Sequence, residues 1–302
     1  RYRNNLPEKP DDGDNPLRTI VGNGMRGDYW REFQKRFKIG RIVEVYGSTE
    51  GVGALMNLKG KPGMIGRLRE KGVRLGYVVR YDMEKESFIR NEKGYLIRCN
   101  AGERGMYLAK ISSRTPFKGY KNNNKATNDK VLEDVFKKGD RYFISGDLME
   151  VHRGNYVSFV DRLGDTFRWK GEVVATNEVA DVINRFGVLE DANVYGVLVD
   201  NTEGRCGMVA VTPLDGKPLN RKLLAECVIE KLPVYARPYF LRVREHVDST
   251  ASFKKVKTAL QGEGFNPEII SDPLYFLDVN RKDYVKLTPA LYKDIQAGKV
   301  RV

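Results

Sequence analysis

The first fifty residues alternate between two short apolar runs and one amphipathic stretch. Residues 17–24 form an apolar run that ends in glycines, and residues 41–47 form another, so both predict strands. Between them, residues 28–38 predict a helix that Gly40 ends, because aromatic residues recur at helical spacing: Tyr29, Trp30, Phe33 and Phe37. Strand, helix and strand in this order predict a parallel pair inside a larger α/β sheet.

The middle of the chain has the alternation of antiparallel strands. Residues 60–113 contain short alternating runs separated by glycine-containing turns, which predict an antiparallel β subdomain. Residues 114–141 are polar and predict a turn followed by one amphipathic helix at 129–138. Two further apolar runs, at 142–145 and 156–161, predict strands with acidic and basic residues at their ends.

The last part of the chain mixes helices and strands. Residues 176–187 predict a helix that Gly187 ends, with an apolar face of Val179, Val182, Ile183 and Phe186. Beyond it, the pattern predicts a second helix at 220–232 and strands at 193–200, 207–213 and 239–245. This predicts a separate small α+β domain, which divides the chain into residues 1–163 and 164–302.

Composition narrows the function classes. The chain has 302 residues, 41% of them hydrophobic and 31% charged, which is typical of a globular protein with room for two domains. Two histidines argue against a histidine-based metal site or catalytic triad. The cysteines, scattered and odd in number, favour a reducing compartment: Cys99, Cys206 and Cys227. No apolar run is long enough to span a bilayer, so the expected location is cytoplasmic.

The net charge of +13 favours anionic partners such as nucleotides, coenzyme A or the cytoplasmic face of a membrane, although a solvated lysine-rich surface has the same charge. Neither zinc-finger spacing nor a basic leucine-zipper pattern occurs, so no nucleic-acid partner is expected.

The segment Gly22–Gly27 matches the dinucleotide fingerprint G-x-G-x-x-G, and Glu44 lies where a ribose-binding acid is sought. An NAD(P)-dependent oxidoreductase is therefore one hypothesis. A glycine turn between strand and helix explains the same residues, because a single match of this kind has low specificity.

Residues 46–51, Tyr-Gly-Ser-Thr-Glu-Gly, offer a second nucleotide-binding pattern. Tyr46 at a strand end can stack on a base, a hydroxyl can bind a phosphate, and the carboxylate of Glu50 can hold Mg²⁺ against that phosphate. An ordinary polar loop is the other interpretation of this string.

A third pattern surrounds the two strands near residue 150. Asp147 can accept hydrogen bonds from two ribose hydroxyls, and Arg162 can donate to the ribose or a phosphate. A surface salt bridge between the two is the alternative. Gly164 has the torsional freedom of a hinge. In the string at 250–254, Lys254 can reach a phosphate, or can belong to a solvated basic loop.

In this order the four strings resemble the motifs of the adenylate-forming enzymes: YGSTEG, YFISGDL, VDRLGDTFRWKGE and TASFK. The wording DRLGDTFRWKGE, and EGFNPEIISDPLYFLD near the end, resemble most the fatty-acid-transport-protein branch of long- and very-long-chain acyl-CoA synthetases. The resemblance covers residues 17–292. It implies the C-terminal part of a large adenylating domain, an α/β sheet plus an antiparallel β subdomain, followed by a small, mobile α+β lid domain.

The resemblance also implies roles for individual residues. The adenine pocket would be lined by Gly22, Asn23, Gly24 and Tyr46. Thr49 would contact the α-phosphate of ATP or AMP, and Glu50 would bind Mg²⁺. The ribose would be held by Asp147 and Arg162, and the hinge would be formed by Gly164 and Asp165. Gly171 would lie by the coenzyme A tunnel, and Lys254 would stabilise the carboxylate and α-phosphate during adenylation.

Three features depart from the superfamily pattern. Phe253 replaces the glycine that precedes the last lysine in most of the superfamily, Lys255 makes the lysine assignment ambiguous, and Gly164 replaces the hinge Asp or Lys. The chain contains no G-x-x-x-x-G-K-[ST] string, and no Ser/Thr/Gly-rich phosphate loop precedes Tyr46.

The expectation is therefore the C-terminal half of a fatty acid:CoA ligase, inactive on its own. A non-catalytic nucleotide- or acyl-CoA-binding remnant is the third hypothesis. The sequence leaves acyl chain length, membrane attachment and oligomeric state open.

Overall fold

The computed structural model of the protein describes residues 8–25, 27–70, 72–83, 85–113, 115–246 and 257–302. The chain divides into two compact units, Arg1–Leu163 and Gly164–Val302. Each unit has apolar clusters formed by its own residues.

The first unit begins with a three-stranded sheet of order β1-β2-β3 and one helix, whose bounds are β1 (Thr19–Gly22), α1 (Gly27–Arg36), β2 (Arg41–Tyr46) and β3 (Leu55–Asn57). The predicted parallel pairing of β1 and β2 is confirmed, and β3 pairs antiparallel with β2. On α1 the fully buried Trp30 packs with Ile39 and Ile42. The helix ends before the predicted Gly40, because Lys38 adopts a left-handed φ of 50°.

The predicted antiparallel subdomain is confirmed as a six-stranded sheet of order β4-β13-β12-β10-β7, with β11 also paired to β12. Two short ribbons, β5-β6 and β8-β9, accompany it. The elements of this part, in chain order, are β4 (Gly66–Arg67), β5 (Arg69–Glu70), β6 (Val73–Arg74), β7 (Gly76–Val79), β8 (Tyr81–Asp82), β9 (Ser87–Phe88), β10 (Arg104–Lys110), α2 (Asn124–Asp129), β11 (Val131–Glu133), β12 (Arg141–His152) and β13 (Tyr156–Arg162). Its core contains Val78, Tyr107, Phe143, Met149 and Val157.

The helix predicted at 129–138 is wrong. Helix α2 ends at Asp129, and the following residues form β11, whose backbone pairs with β12. After β11, the carboxylate of Asp140 accepts N–H groups of Val135 at 2.6 Å and Phe136 at 3.1 Å. A strand at the sheet edge and a carboxylate-capped turn therefore satisfy the backbone groups that a helix would have satisfied.

The second unit starts with a β-hairpin and continues as a five-stranded sheet of order β16-β17-β18-β19-β20, and its described residues also form four helices. Strands β17 and β18 are parallel, and the other neighbours are antiparallel. The elements are β14 (Phe167–Trp169), β15 (Glu172–Val174), α3 (Thr176–Asn184), β16 (Leu189–Val197), β17 (Cys206–Pro213), α4 (Arg221–Lys231), β18 (Phe240–Val243), α5 (Lys257–Glu263), β19 (Leu274–Asp278), β20 (Asp283–Lys286) and α6 (Pro289–Gln296).

Helices α3 and α4 confirm the two helices predicted for this unit. Val179 and Ile183 of α3 are buried, and Val182 and Phe186 pack against the same core. Short 3-10 turns occur at Arg153–Asn155 in the first unit and Val234–Ala236 in the second. Among the described helices, none combines the length and the apolar character needed to cross a bilayer.

Candidate functional site

A buried carboxylate, Asp147, organises the site in the first unit. Strands β12 and β13 form an antiparallel hairpin in which Asp147 is the register partner of Arg162, so the two side chains start from neighbouring positions. The Nε of Arg162 donates to Oδ1 of Asp147 at 3.2 Å, and the hydroxyl of Tyr46 donates to Oδ2 at 2.5 Å. Tyr46 and Asp147 are 101 positions apart in sequence, so no local pattern predicts their contact, which the fold creates.

The environment of Asp147 keeps its carboxylate available as an acceptor. Burial raises the pKa of Asp147 above its usual value, and the hydrogen bond from Tyr46 and the charge of Arg162 offset only part of that rise. Burial, together with the adjacent carboxylate, raises the pKa of Tyr46 far above its usual value. Tyr46 therefore stays a neutral donor, and Asp147 has two fixed partners and lone pairs left over.

The backbone around Asp147 is fixed by the preceding two residues. Gly146 has a φ of 80°, a left-handed conformation that favours glycine. The hydroxyl of Ser145 accepts the N–H of Asp147 at 3.0 Å and donates to the carbonyl of Tyr107 at 2.8 Å. The carbonyl of Gly146 accepts the N–H of Leu163 at 2.9 Å, which ties β12 to the end of β13.

The ring of Tyr46 belongs to the core of the first unit. It meets Tyr107 edge to face, with centroids 5.7 Å apart, and only 9% of Tyr46 is exposed. This packing fixes the hydroxyl against Asp147. The adenine-lining role of Tyr46 stays a prediction.

Glu50 and Thr49 form a second cluster on the loop after β2. The hydroxyl of Tyr120 donates to Oε1 of Glu50 at 2.7 Å, and the hydroxyl of Thr49 donates to Oε2 at 3.2 Å. Burial acts to raise the pKa of Glu50, but these hydrogen bonds and those from its own backbone and Ser48 outweigh it and lower the pKa. Glu50 is thus held ionised and half-buried.

An ionised carboxylate beside a hydroxyl is a donor set that fits Mg²⁺, which takes one or two protein carboxylates and completes its coordination with water and substrate phosphates. No cluster of three or more His, Cys, Asp or Glu side chains suited to a metal occurs in the residues described. The fit therefore rests on Glu50 with the phosphates of a bound nucleotide. Its role as metal ligand stays a prediction.

The loop at Gly22, Asn23 and Gly24 is held by Glu44. The Glu44 carboxylate, 1% exposed, accepts the backbone N–H of Gly24 and, at 3.2 Å, the N–H of Met25. Burial raises its pKa to about 6, although both N–H groups act in the opposite direction. The Glu44 carboxylate is therefore already hydrogen-bonded to the loop, whereas the dinucleotide hypothesis requires it to bind a ribose.

The strand pairing also argues against a dinucleotide fold. In such a fold, further parallel strands follow the first β-α-β unit. Here β2 is followed by the antiparallel strand β3.

The predicted hinge residues Gly164 and Asp165 begin the second unit, and Asp165 has a lysine partner there. Lys257, at the start of α5, pairs with Asp165 at 3.5 Å and donates to the hydroxyl of Thr176 at 2.5 Å. Gly164 is exposed, and a Cβ there would meet no atom within 4 Å. Lys254, Phe253 and Lys255 lie outside the described residues.

Gly171 lies in the turn of the β14–β15 hairpin, where Lys170 and Gly171 have φ values of 53° and 83°. Trp169 and Glu172 are register partners, so the two residues between them, Lys170 and Gly171, form the whole turn. Positive φ at both positions is typical of a type I′ turn, which favours glycine at the second position.

Two side chains near the site were missed in the sequence. Tyr120 and Lys130 belong to the polar stretch before β11, and the predicted helix at 129–138 assigned Lys130 to a helix. Lys130 lies next to Gly146, since a Cβ built on that glycine would be 3.7 Å from the Lys130 Nζ atom. A polar stretch carries no apolar period, so only the fold shows that both ends of this segment reach the two clusters.

Comparison with known proteins shows which proteins the chain resembles. The chain is 47% identical over 298 residues to the long-chain fatty acid transport protein 2 of Rattus norvegicus, and 42% identical over 304 residues to the long-chain fatty acid transport protein 6 of Homo sapiens. The chain matches the long-chain fatty acid transport proteins. The alignments cover 98% and 100% of this chain but 48% and 49% of those proteins, so the chain spans about half of their length. No protein-family model matches the chain.

Solved structures show the same fold at lower identity. ATP-bound MatB from Rhodopseudomonas palustris superposes with a TM-score of 0.64 at 20% identity, over 82% of this chain and 45% of that one. The o-succinylbenzoate coenzyme A synthetase (MenE) from Bacillus subtilis, in complex with AMP, superposes with a TM-score of 0.60 at 20% identity, over 81% and 46%. The fold resemblance to adenylate-forming enzymes is confirmed.

Proposed function

We propose that the protein is a long- or very-long-chain fatty acyl-CoA synthetase of the fatty-acid-transport-protein branch. It converts ATP, fatty acid and coenzyme A to acyl-CoA, AMP and diphosphate through an acyl-adenylate. The contact of Tyr46 and Arg162 with the two oxygens of Asp147 carries this proposal, because it provides a preorganised acceptor for a ribose diol. The identity with fatty acid transport proteins over almost the whole chain supports it.

In this proposal the first unit binds the nucleotide. Asp147 accepts the two ribose hydroxyls, while Arg162 donates to the ribose. The loop at Gly22, Asn23 and Gly24 contacts the adenine, and its backbone is held in place by Glu44. Tyr46 orients Asp147 through its hydroxyl and lines the adenine pocket with its ring.

The first step forms a bond between a fatty carboxylate oxygen and the α-phosphorus of ATP and breaks the bond from that phosphorus to the diphosphate oxygen. Thr49 contacts the α-phosphate, and Lys254 neutralises charge on the carboxylate and the α-phosphate. Glu50 is the residue that would hold Mg²⁺, which neutralises phosphate charge when bound. Tyr120 and Thr49 fix the Glu50 carboxylate for that task.

In the second step, the coenzyme A sulfur attacks the acyl carbonyl and AMP leaves. Lys254 has no task in this step, so a rotation of the second unit about Gly164 and Asp165 would withdraw it and bring Gly171 to the thiol path. The pair of Asp165 with Lys257 connects the hinge to the start of α5, three residues after Lys254.

The proposal assigns the β- and γ-phosphates and most of the acyl tunnel to sequence outside this chain. No G-x-x-x-x-G-K-[ST] string occurs within it, and its relatives are about twice as long. This chain alone is therefore expected to bind nucleotide without completing catalysis. Attachment to the cytoplasmic face of a membrane would agree with the charge of +13.

Lys254→Ala in the intact protein tests the assignment. Loss of the Lys254 contact to the reacting carboxylate and α-phosphate is expected to slow acyl-adenylate formation by about 100-fold or more, while thioester formation from supplied acyl-AMP changes little. Lys255→Ala is the matched control and should retain both half-reactions. Equal losses in the two half-reactions of Lys254→Ala would sink the assigned role.

Gly164 is tested in the opposite half-reaction. Gly164→Pro should slow thioester formation more than adenylation, because proline restricts the backbone at the hinge. Gly164→Ala is the control, since a Cβ there meets no neighbouring atom. An unchanged thioester rate in Gly164→Pro would contradict the hinge.

A titration with AMP and NAD separates the proposal from the oxidoreductase alternative. Binding of AMP without NAD supports the synthetase, and tight NAD binding without AMP overturns it. An intact protein that binds AMP but forms no acyl-adenylate would instead be a non-catalytic nucleotide-binding remnant.

A further inference from the structure

The residues from Phe117 to Lys130, here called the 117–130 segment, border the candidate site at both ends. At one end the hydroxyl of Tyr120 binds Glu50 at 2.7 Å. At the other end the ammonium of Lys130 lies beside the backbone of Gly146, directly before Asp147. The segment therefore connects the predicted phosphate and metal cluster with the predicted ribose cluster.

Internal contacts fix the shape of this segment. The hydroxyl of Thr127 accepts the N–H of Tyr120 at 2.9 Å and donates to the carbonyl of Asn123 at 2.9 Å. Phe117 packs on Phe143 of β12 with ring centroids 4.9 Å apart. The carbonyl of Lys130 accepts the N–H of Ile144 at 2.8 Å, so the backbone that carries Lys130 is bound to the strand that leads to Asp147.

The side chain of Lys130 is half-buried, yet within the described ranges its ammonium makes no hydrogen bond and no ion pair. Its nearest ring is Phe143, whose centroid is 5.9 Å away. Removing an ammonium partly from water without a hydrogen-bond partner is unfavourable. A cation kept in this position beside a binding site is typical of one that meets an anion on the ligand.

The charges of the cluster point the same way. Glu50 and Asp147 carry one negative charge each, and Arg162 offsets one of them. Without Lys130, these described groups have a net charge of −1, which repels an anionic nucleotide. With Lys130 they are neutral, and the Lys130 ammonium, unlike the Nε of Arg162, is not bound to either carboxylate within the described residues.

We propose that Lys130 is a further nucleotide-binding residue, whose ammonium pairs with the phosphate of the bound nucleotide. This inference rests on the proposed nucleotide site of the first unit and names a residue that none of the four sequence motifs contains. The alternative is a positioning role, in which Lys130 acts only through Asp147. The two roles predict different effects on ligand affinity. A phosphate contact affects AMP alone, whereas action through Asp147 affects adenosine as well.

The test compares AMP and adenosine on the intact protein by titration calorimetry. Lys130→Met is expected to weaken AMP binding about tenfold, the cost of losing one charge-assisted hydrogen bond, and to leave adenosine binding unchanged. Lys130→Arg should restore most of the AMP affinity. Lys125→Met, at an exposed lysine of α2, is the matched control and should bind both ligands like the wild type.

Phosphorus NMR of bound AMP provides a readout that a structural role would not move. The ³¹P resonance should shift in Lys130→Met and return in Lys130→Arg. Equal weakening of AMP and adenosine in Lys130→Met, or no weakening of either, overturns the inference while the proposed function stands. A wild-type protein that binds neither ligand overturns both.

Discussion

Two aspartates on either side of Gly164 have opposite environments. In the first unit, Asp147 is buried, and fixed donors hold both of its carboxylate oxygens. In the second unit, the side chain of Asp165 is 36% exposed and pairs with Lys257 at 3.5 Å. The carboxylate of Asp147 is preorganised, and the carboxylate of Asp165 is more exposed and takes part in a longer ion pair.

The different environments of the two aspartates suit different roles, ligand binding for Asp147 and domain movement for Asp165. A buried acceptor with fixed partners loses little entropy when a ligand arrives, which suits the recognition of a ribose diol. A half-exposed ion pair contributes little to stability and exchanges easily with water, which suits a residue next to a hinge. Since each aspartate directly follows a glycine, the local sequence alone does not distinguish these two roles.

Replacing each aspartate by asparagine should give the largest difference between the two sites, measured as AMP affinity. Asp147→Asn is expected to weaken AMP binding by about 100-fold, because two ribose hydrogen bonds lose a charged acceptor. Asp165→Asn should leave the AMP affinity unchanged. Calorimetric titration of both variants measures this, and equal affinities would remove the assigned ribose role from Asp147.

Tyr46→Phe should destabilise the first unit. Removing the hydroxyl leaves a buried carboxylate short of a donor, which costs about 1.5–3 kcal/mol of unfolding free energy. Tyr120→Phe is the control, since Glu50 is only half-buried and should lose less. Urea unfolding of the two variants gives the values, and a smaller loss for Tyr46→Phe than for Tyr120→Phe would contradict this account.

Glu44 should make the stability of the first unit depend on pH. Its pKa is about 6 in the folded state and 4.5 when unperturbed, so the folded state binds more protons in this interval. The contribution of Glu44 to stability is therefore fully present below pH 4.5 and falls by about 2 kcal/mol as the pH rises through 6.

Urea unfolding at a series of pH values measures this slope. Subtracting the curve of Glu44→Gln isolates the Glu44 contribution from other carboxyl groups. A difference that does not change between pH 4.5 and 6 would rule out a raised pKa.

The smallest effect is expected for the stability of the second unit in Asp165→Asn. The pair with Lys257 is partly exposed, so its loss should change the unfolding free energy by less than about 1 kcal/mol. Thr176 keeps its hydrogen bond to Lys257 in this variant. A loss of several kcal/mol would show that the pair is structural and would weaken the contrast with Asp147.

Much of the fold follows from local pattern. The periodicity at Trp30 and Phe33 predicts α1, and the alternation before and after Asp147 predicts the β12–β13 hairpin that sets it opposite Arg162. These elements bury one face each, so their sequences carry a strong period. The hairpin also explains why two charged residues 15 positions apart in sequence are in contact.

The rest depends on contacts that no local period encodes. The bond from Tyr46 to Asp147 spans 101 positions, and the one from Tyr120 to Glu50 spans 70. The helix predicted at 129–138 failed because its apolar residues also suit a short edge strand, and pairing with β12 decides the outcome. The strands β19 and β20 are short, so their local sequence carries little alternation, and only the pairing of β19 between β18 and β20 defines them.

The left-handed glycines change how an alignment of relatives should be interpreted. Gly146 and Gly171 have φ values of 80° and 83°, so the backbone demands glycine at both positions whether or not a ligand passes nearby. Invariance at these two sites would therefore be poor evidence of a nucleotide or thiol contact. Gly164 has no positive φ and no crowded neighbour, so invariance there would need selection for something other than the static fold.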